Sequence, residues 1–326
     1  MNEATTPDAP DASSADGPSF RSGFVALCGR PNVGKSTLLN ALLGQDIALA
    51  TRFPQTTRER MLGIWNTDAF QAVLVDTPGI HRAKSALNRY MVDEAIRGAK
   101  EVDLILLLAE MPQLRSESAA DEWSPGPGAV AVLESLVELG RPMALVLTKC
   151  DQTTDPKLLI PVLDRWQKLH EFVAILPTSA TQREGLDELE RVVRDQLPEG
   201  PELFDPEHLS DRSMRWHAAE CVRAELFGNL GEELPYSCAV TINAYRSTKT
   251  RDRISGVIHV ERKSQKGIVI GSKGRTIKAI SSAARQRISE LTGRPCDLYL
   301  DVRVTENWTR DPKKLESLGY QEEGGR

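Results

Sequence analysis

The sequence predicts an α/β domain with a mostly parallel sheet covered by helices on both faces, followed by a small α+β domain. A chain of 326 residues exceeds the usual size of one domain. Up to residue 196, strand-sized apolar runs alternate with helical segments, which is typical of a parallel sheet. From residue 214 the order becomes α-β-β-α-α-β. The segment 197–213 holds three prolines and many acids, so we expect a linker there and domains at 21–196 and 214–326.

Composition narrows the class of protein and its surroundings. Residues 1–20 are rich in Ala, Asp, Pro and Ser, which predicts a disordered tail rather than a signal peptide. No apolar run reaches the roughly 18 residues of a membrane span. Five cysteines without a C-x-x-C pair argue against a disulfide framework or a zinc site and fit a reducing cytoplasm.

Charge is distributed unevenly along the chain. The net charge is −5, yet residues 251–305 hold twelve Lys and Arg against five acids, which is +7 locally (12 − 5). Such an asymmetry predicts an anionic partner for the second domain, and a solvated charged surface is the alternative.

A glycine-rich turn follows the first apolar run, in the stretch FVALCGRPNVGKST at residues 24–37. Gly29, Gly34, Lys35 and Ser36 fill the pattern G-x-x-x-x-G-K-[ST]. The glycines let backbone N–H groups face a phosphate, and the following helix directs its positive end at the same anion. The lysine would reach the β- and γ-phosphate oxygens, and the serine would bind Mg²⁺. The turn therefore predicts a phosphate-binding loop (P-loop), and a strand-turn-helix connection without a ligand is the alternative.

A second phosphate-sensing element follows a predicted hairpin. The apolar runs at 61–65 and 72–75 are joined by a short turn, and the second run ends in Asp76-Thr77-Pro78-Gly79. After a P-loop, D-x-x-G at a strand end predicts a carboxylate that holds Mg²⁺ through water and a glycine N–H that touches the γ-phosphate. A simple turn at the strand end is the alternative.

Helices and strands alternate beyond Gly79. The segment 110–128 interrupts them as a long polar insertion, which we expect to be mobile. The predicted helices lie near 87–100, 129–139, 157–169 and 186–196, and the predicted strands lie at 103–109, 142–148 and 172–177.

The last two strands end in polar residues that can read a base. The first ends in Thr148-Lys149-Cys150-Asp151, and the second in Thr178-Ser179-Ala180. The Asp151 carboxylate can accept two hydrogen bonds at once, which matches the N1–H and N2–H₂ edge of guanine. Lys149 could cover the base, and an N–H of Ser179 or Ala180 could meet O6. Guanine selectivity is predicted, with a helix N-cap as the alternative role of Asp151.

The motifs GRPNVGKS, DTPG, TKCD and TSA, in this order, resemble the G boxes of translation-factor-related GTPases. Thr148 stands where the family usually has Asn, a position that braces the P-loop. Ile80 stands where Ras-type proteins have a water-positioning glutamine, so unaided hydrolysis should be slow. In related GTPases with an apolar residue here, the P-loop asparagine, matching Asn32, helps to bind K⁺.

The pair Thr56 and Thr57 resembles switch I, and Thr57 is the favoured Mg²⁺ ligand. The predicted cofactors are GTP or GDP, Mg²⁺ and K⁺. The predicted catalytic residues are Lys35, Asn32, Thr57 and Gly79, and the predicted metal ligands are Ser36, Thr57 and Asp76. The predicted nucleotide site comprises Gly29, Arg30, Pro31, Asn32, Val33, Gly34, Lys35, Ser36, Thr37, Asp76, Thr77, Pro78, Gly79, Thr148, Lys149, Asp151, Ser179 and Ala180.

The second domain contains two G-x-x-G segments of different character. Gly228–Gly231 follows a predicted helix at 214–230 and is interpreted as a capping turn. Gly271-Ser272-Lys273-Gly274 instead joins two helices and carries a lysine. Two small residues would let a phosphate backbone press against this turn. The strands of this domain are predicted near 236–245, 254–262 and 297–304, and the helix after the turn reaches about Leu291.

The stretch GIVIGSKGRTIKAI resembles the K-homology (KH) domain that binds RNA. Its apolar residues Ile268, Ile270, Ile277 and Ile280 fit either a core or a groove for bases, and for any one of them the core is the favoured position. The predicted RNA-binding residues are Lys266, Gly267, Ile268, Ile270, Gly271, Ser272, Lys273, Gly274, Arg275 and Lys278.

A GTPase domain fused to one C-terminal KH domain resembles the Era family of GTPases, from about residue 22 to 320. This resemblance implies binding of single-stranded RNA near the 3′ end of small-subunit ribosomal RNA and GTP-controlled assistance in small-subunit assembly. It also implies a monomer that is cytoplasmic and can associate peripherally with the inner face of the cell membrane. Two alternatives stay open: a nucleotide-gated RNA scaffold with little turnover, and a C-terminal domain that docks protein.

Overall fold

A computed structural model describes residues 19–48, 50, 53, 57–81, 85–153, 155–231 and 233–320. The predicted tail up to residue 18 and Thr56 lie outside the described residues. Nine strands form two separate sheets within the described part of the chain.

The first sheet has six strands in the order β2-β3-β1-β4-β5-β6. β2 pairs antiparallel with β3, which confirms the predicted hairpin, and the other pairs are parallel. The last strand is shorter than the predicted 172–177. The strands are β1 Arg21–Gly29, β2 Met61–Asn66, β3 Phe70–Asp76, β4 Leu104–Glu110, β5 Met143–Thr148 and β6 Ile175–Pro177.

Helices cover both faces of this sheet, as the alternation of elements predicts. Leu38 and Leu189 belong to the core on one face, and Ala95, Leu133 and Val162 belong to the core on the other. Because both faces are covered, the central strands are apolar along nearly their whole length. The helices are α1 Lys35–Leu43, α2 Ala86–Lys100, α3 Glu117–Glu122, α4 Pro127–Val137, α5 Leu159–Gln167 and α6 Leu186–Gln196.

The insertion at 110–128 is not the structureless loop that its polarity predicts. It contains α3, which begins where the Ser116 side chain accepts a hydrogen bond from the Ala119 N–H. Ala120 is fully buried, and Arg165 of α5 donates a hydrogen bond of 2.6 Å to the Asp121 carbonyl. A capped helical turn packs one small apolar residue against α5, and the expectation of a mobile segment stays a prediction.

The linker lies along the free edge of β2. Ser210 forms an antiparallel bridge with Gly63, and Ile64 N donates to the Leu209 carbonyl over 3.1 Å. The Asp211 carboxylate accepts from Leu62 N over 2.9 Å. The predicted connector is therefore bound to the sheet along part of its length.

The second sheet has the order β7-β8-β9, antiparallel between the first two strands and parallel between the last two. The α-β-β-α-α-β order is confirmed. Gly228 lies inside α7, which ends at Asn229 with Leu230 as its C-cap, so the predicted capping turn begins later in Gly228–Gly231 than expected. The elements are α7 Met214–Asn229, β7 Ala239–Ser247, β8 Asp252–Val260, α8 Lys263–Ile270, α9 Arg275–Thr292, β9 Cys296–Val304 and α10 Pro312–Ser317.

The segment after β9 returns to the first sheet. Trp308, Leu315 of α10 and Tyr320 form one buried cluster with Tyr90 and Met91 of α2. This cluster joins the C-terminal end of the described chain to the helix that follows D-x-x-G.

Candidate nucleotide and nucleic-acid sites

The predicted P-loop connects β1 to α1 with a backbone that requires its glycines. Gly29 has φ of 153°, and a Cβ there would lie 2.5 Å from the Leu108 carbonyl oxygen. Gly34 has φ of 99° and immediately precedes α1, while Asn32 between them has φ of 69°. These positive φ values are ones that glycine adopts readily and most other residues do not. The loop therefore has a tight turn with little side-chain bulk at its ends.

Lys35 occupies the mouth of this loop. It is buried, and its Nζ donates to the Arg30 carbonyl over 3.1 Å and to the Gly29 carbonyl over 3.4 Å. Burial lowers the pKa of Lys35, and the charge of Asp76 opposes that shift. An anion bound in the loop would add a second opposing charge, so the position suits a phosphate.

Two hydroxyls and one carboxylate meet beside the lysine. Ser36 Oγ donates to Asp76 Oδ2 over 2.9 Å and lies 3.1 Å from Thr57 Oγ1. Burial raises the pKa of Asp76 to about 6, although Lys35 and these hydrogen bonds lower it. The buried Asp76 Oδ1 has no hydrogen-bond partner among the described residues. A hard cation such as Mg²⁺ takes oxygen ligands of these kinds, so the three side chains fit it.

Clusters of metal-binding side chains are absent from the described part of the chain. No group of three His, Cys, Asp or Glu side chains that could hold a metal occurs among the described residues. A magnesium site completed by nucleotide phosphates needs only one or two carboxylates from the protein.

The D-x-x-G segment lies directly against the P-loop. A Cβ on Gly79 would lie 2.6 Å from the Pro31 nitrogen, so only glycine fits without a shift. Ile80 N donates to the Gly29 carbonyl over 3.0 Å, and Thr77 Oγ1 donates to the Leu27 carbonyl over 2.7 Å. Gly79 is thus held beside the lysine and the two hydroxyls.

Thr148 braces the P-loop in the way expected for the usual asparagine. Its Oγ1 donates to the Val33 carbonyl over 2.6 Å and lies 3.2 Å from the Ala109 carbonyl. A hydroxyl has one hydrogen to donate, so it satisfies one of these carbonyls well. The shorter distance identifies the P-loop as the main partner.

The proposed base-reading side chains belong to two loops, those after β5 and β6. Lys149 Nζ donates to the Asn32 carbonyl over 3.0 Å and pairs with Glu110 Oε2 over 3.0 Å. Asp151 Oδ1 accepts from Ser179 Oγ over 2.6 Å. These contacts hold Lys149 against the P-loop and Asp151 against the loop after β6.

The two candidates for a donor to O6 differ in the structure. Ser179 N already donates to the Glu184 carbonyl over 3.0 Å, so its N–H belongs to the turn. The N–H of Ala180 is the better candidate. The sequence did not predict the contact of Glu110 with Lys149. Glu110 ends β4 opposite Thr148 in the parallel register, which brings it next to Lys149.

The second candidate site centres on the turn between α8 and α9. Gly271 has φ of 73° and Gly274 has φ of 75°, and Lys273 between them has φ of 53°. A Cβ on Gly271 would lie 2.1 Å from Thr276 Oγ1, whereas the space around Gly274 is open. The eighteen-residue helix α9 begins at Arg275. The turn thus presents a lysine and a helix N-terminus over an uncrowded backbone, which suits a phosphate.

The four isoleucines around this turn have different environments. Ile280 is fully buried, Ile270 and Ile277 are half-buried, and Ile268 is 56% exposed. The expectation of a core position is wrong for Ile268, which projects from α8 into solvent. A cleft nearby is lined by Ile277, Lys278, Ser281 and Leu298, with Tyr299 of β9 66% exposed at its side.

Both predicted sites are gathered locally by the fold. Residues 29–37, 76–79, 148–151 and 179–180 all lie in loops at the carboxyl ends of β1, β3, β5 and β6 or at the start of the following helix. Lys266, Gly267, Ile268 and Ile270 lie on α8, Gly271, Ser272, Lys273 and Gly274 form the turn, and Arg275 and Lys278 begin α9. Among the described helices, none has the length and apolarity needed to cross a bilayer.

Family comparisons match both halves of the chain. Residues 24–149 match the family described as 50S ribosome-binding GTPase, and residues 233–309 match the KH domain. The GTPase Era of Syntrophus aciditrophicus is 41% identical over 305 residues, covering 93% of this chain and 96% of the relative. The GTPase Era of Geotalea daltonii is 43% identical over 306 residues, covering 93% and 98%.

Two solved structures are similar over nearly their whole length. One is a point variant of Aquifex aeolicus Era bound to GDP·AlF4⁻, and the other is Era in complex with MgGDPNP and nucleotides 1506–1542 of 16S ribosomal RNA. Each is 36% identical with a TM-score of 0.86, covering 92% of this chain and 99% of the other.

Proposed function

The chain belongs to the Era family of GTPases, and on that premise we propose that it is a GTP-controlled switch for assembly of the small ribosomal subunit. Its GTPase domain binds and hydrolyses GTP. Its KH domain binds a single-stranded segment near the 3′ end of the small-subunit ribosomal RNA. The proposal depends on the presence of a compact nucleotide site and the open turn Gly271–Gly274 in one chain. The fold of this chain is similar to that of an Era structure that contains 16S nucleotides.

In this proposal, the P-loop, the metal-binding side chains and Gly79 have separate roles in binding the phosphates. The backbone of 29–34 surrounds the β-phosphate, and Lys35 neutralises charge on the β- and γ-phosphate oxygens. Ser36, Thr57 and Asp76 would hold Mg²⁺, which neutralises phosphate charge when bound. Gly79 N–H contacts the γ-phosphate, so Thr57 and Gly79 report whether GTP or GDP is present.

Guanine is read by the loops after β5 and β6. Asp151 accepts from the base edge while Ser179 holds its carboxylate in place, and Lys149 lies over the base plane. An N–H from Ala180 meets O6. Adenine lacks the two donors that face Asp151, so its binding would leave a carboxylate without partners.

Hydrolysis in this chain requires help beyond the usual switch residues. Ile80 is 6% exposed and has no group that can orient a water. We propose that the Asn32 side chain contributes to a K⁺ site that stabilises charge on the transferred phosphoryl group. Turnover in K⁺ and in Na⁺ tests this directly, and equal rates in the two salts would reject the role of Asn32.

RNA recognition combines phosphate contacts with a place for bases. Lys266, Lys273, Arg275 and Lys278 lie on or beside the turn and supply positive charge. Exposed Ile268 and the cleft beside Tyr299 offer apolar surface on which bases can pack. Each phosphate neutralised on a single strand should steepen the dependence of log K on log salt by about 0.7.

Crosslinking of the GTP-bound protein to cellular RNA, followed by sequencing, tests the proposed partner. A footprint near the 3′ end of the small-subunit RNA, with crosslinks at residues 266–278, is the expected result. Recovery of protein crosslinks without RNA at these residues would favour a protein-docking role for the KH domain. GTP binding without multiple turnover in the presence of pre-ribosomal particles would favour a scaffold.

Two further parts of the proposal concern the state of the protein in the cell. A monomer is expected from the family resemblance, and size-exclusion chromatography with light scattering measures it. Peripheral association with the inner face of the membrane is also implied by the resemblance, and flotation with anionic vesicles in GTP and in GDP tests it.

A further inference from the structure

Arg58 follows Thr57 directly but contacts a different part of the molecule. It is 3% exposed, and its two terminal nitrogens donate four hydrogen bonds into the KH side. Nη1 donates to the Cys238 carbonyl over 2.8 Å and to Tyr320 Oη over 3.0 Å. Nη2 donates to the carbonyls of Tyr236 and Pro235 over 2.9 and 3.3 Å. The turn at 235–238 and Tyr320 thus form a socket for this guanidinium.

Aromatic rings complete the socket. The Arg58 guanidinium carbon lies 5.6 Å from the ring centroid of Trp308 and 6.0 Å from that of Tyr320. These two rings stack with centroids 5.8 Å apart, and Trp308 Nε1 donates to the Ser237 carbonyl over 2.9 Å. Tyr320 also meets Tyr90 of α2, with ring centroids 6.0 Å apart. The socket is therefore lined by aromatic rings and in contact with the helix that follows D-x-x-G.

The next two residues of the same segment are held by α7 and by the linker. Trp216 Nε1 of α7 donates to Glu59 Oε2 over 2.9 Å. Arg212 Nε donates to the Arg60 carbonyl over 3.1 Å. Residues 58–60 thus contact the KH side or the linker at three successive positions, while Thr57 faces Ser36 and Asp76.

We propose that Arg58 is a positioning residue for GTP hydrolysis, because its socket of 235–238, Trp308 and Tyr320 holds Thr57 at the magnesium site. The inference rests on the proposed role of Thr57 as a metal ligand. A segment fixed at Arg58 leaves Thr57 few alternative positions, so its hydroxyl is already near the place where the cation must be bound. Without the socket, ordering of this segment would oppose Mg²⁺ binding.

Arginine is required by the geometry of the socket. A lysine has the same charge but only one terminal nitrogen, with three hydrogens. It cannot donate hydrogen bonds to all four acceptors that the planar guanidinium reaches. Tyr320→Phe removes one acceptor and keeps the ring that faces the guanidinium. The two substitutions therefore perturb the hydrogen bonds of the socket to different degrees with little loss of side-chain volume.

The experiment compares full-length Arg58→Lys, Tyr320→Phe and Thr57→Ala with Arg141→Gln as a control. Arg141 is exposed, lies just before the start of β5 and donates to one backbone carbonyl, that of Lys100. Two quantities are measured for each protein: the Mg²⁺ concentration that gives half-maximal GTP turnover, and the affinity for fluorescent GDP in EDTA. The second depends on the P-loop and base loops and not on the magnesium site.

For Arg58→Lys, we expect the half-maximal Mg²⁺ concentration to rise about tenfold, for Tyr320→Phe about threefold, and for Arg141→Gln not at all. GDP affinity in EDTA should stay within about twofold of wild type in every variant. An unchanged Mg²⁺ titration in both socket variants, with Thr57→Ala impaired, overturns the inference and leaves the role of Thr57 intact. An unimpaired Thr57→Ala variant rejects that role itself. An equal loss of GDP affinity in EDTA shows general damage to the fold and also overturns the inference.

Discussion

Replacement of Gly79 by alanine should separate nucleotide binding from nucleotide hydrolysis. A Cβ at this position would lie 2.6 Å from the Pro31 nitrogen and 2.7 Å from its Cα and Cγ atoms. Ordinary carbon contacts begin at about 3.5 Å, so the loop that carries Gly79 must retreat from the P-loop by nearly 1 Å. Displacement of a catalytic group by about 1 Å can lower turnover about 100-fold.

The same displacement strains the hydrogen bond from Ile80 N to the Gly29 carbonyl, which measures 3.0 Å. Loss of a buried backbone hydrogen bond together with overpacking predicts a decrease of about 1–3 kcal/mol in the free energy of unfolding. The protein should therefore still fold and bind GDP, because the lysine and the base loops are unchanged.

Three measurements test the Gly79→Ala variant: turnover at saturating GTP, affinity for fluorescent GDP, and thermal unfolding. Gly228→Ala is a matched control, since Gly228 lies inside α7 with only a Glu225 side-chain atom at 4.0 Å. The control should gain up to about 1 kcal/mol in stability from its higher helix propensity and keep wild-type turnover. Turnover of Gly79→Ala within twofold of wild type would refute the claim that the contact with Pro31 sets the position of this loop.

Three further predictions follow from the geometry. Mg²⁺ competes with a proton for Asp76, whose pKa is raised to about 6. Mg²⁺ affinity should therefore be constant above neutral pH and fall about tenfold by pH 5. The Asp76→Asn variant corrects for titration of the nucleotide, and a fall in affinity that begins only near pH 4 would contradict the raised pKa. Thr148→Ala leaves the Val33 carbonyl without its 2.6 Å donor and should weaken GDP binding about tenfold, whereas Thr148→Ser should retain it. Gly271→Ala, which meets Thr276 at a φ of 73°, should weaken single-stranded RNA binding by about tenfold or more while GTP turnover without RNA stays at the wild-type rate.

The residues of the predicted nucleotide site lie together in the structure because local chemistry fixes their spacing. Gly29 and Gly34 bound a turn that needs positive φ, and Lys35 and Ser36 follow it at fixed spacing. Parallel strands then place the loops after β3, β5 and β6 at one edge of the sheet. The family prediction is confirmed, and so are the GTPase activity and the fold class.

The contacts between distant segments could not be read from the sequence. Arg58 in a polar loop looks like an ordinary exposed arginine, and its partners lie 177 to 262 positions away along the chain. The polarity of residues 110–128 likewise hides α3, whose contact with the core is a single buried alanine. The core assignment of Ile268 failed for a related reason, since burial depends on helix orientation that the local pattern does not set. The domain bounds at residues 196 and 214 stay predictions.

The linker segment 209–211 covers an edge of the first sheet that could otherwise pair with a second chain. β2 is the outermost strand of the six-stranded sheet, and an unpaired outer strand is a template on which a second chain can polymerise. Residues 209–211 occupy that position with one bridge and two hydrogen bonds. A reorientation of the KH domain that pulled these residues away would expose the unpaired backbone N–H and C=O groups of β2. Movements of the KH domain that begin after Asp211 would leave residues 209–211 in place and avoid this risk of aggregation.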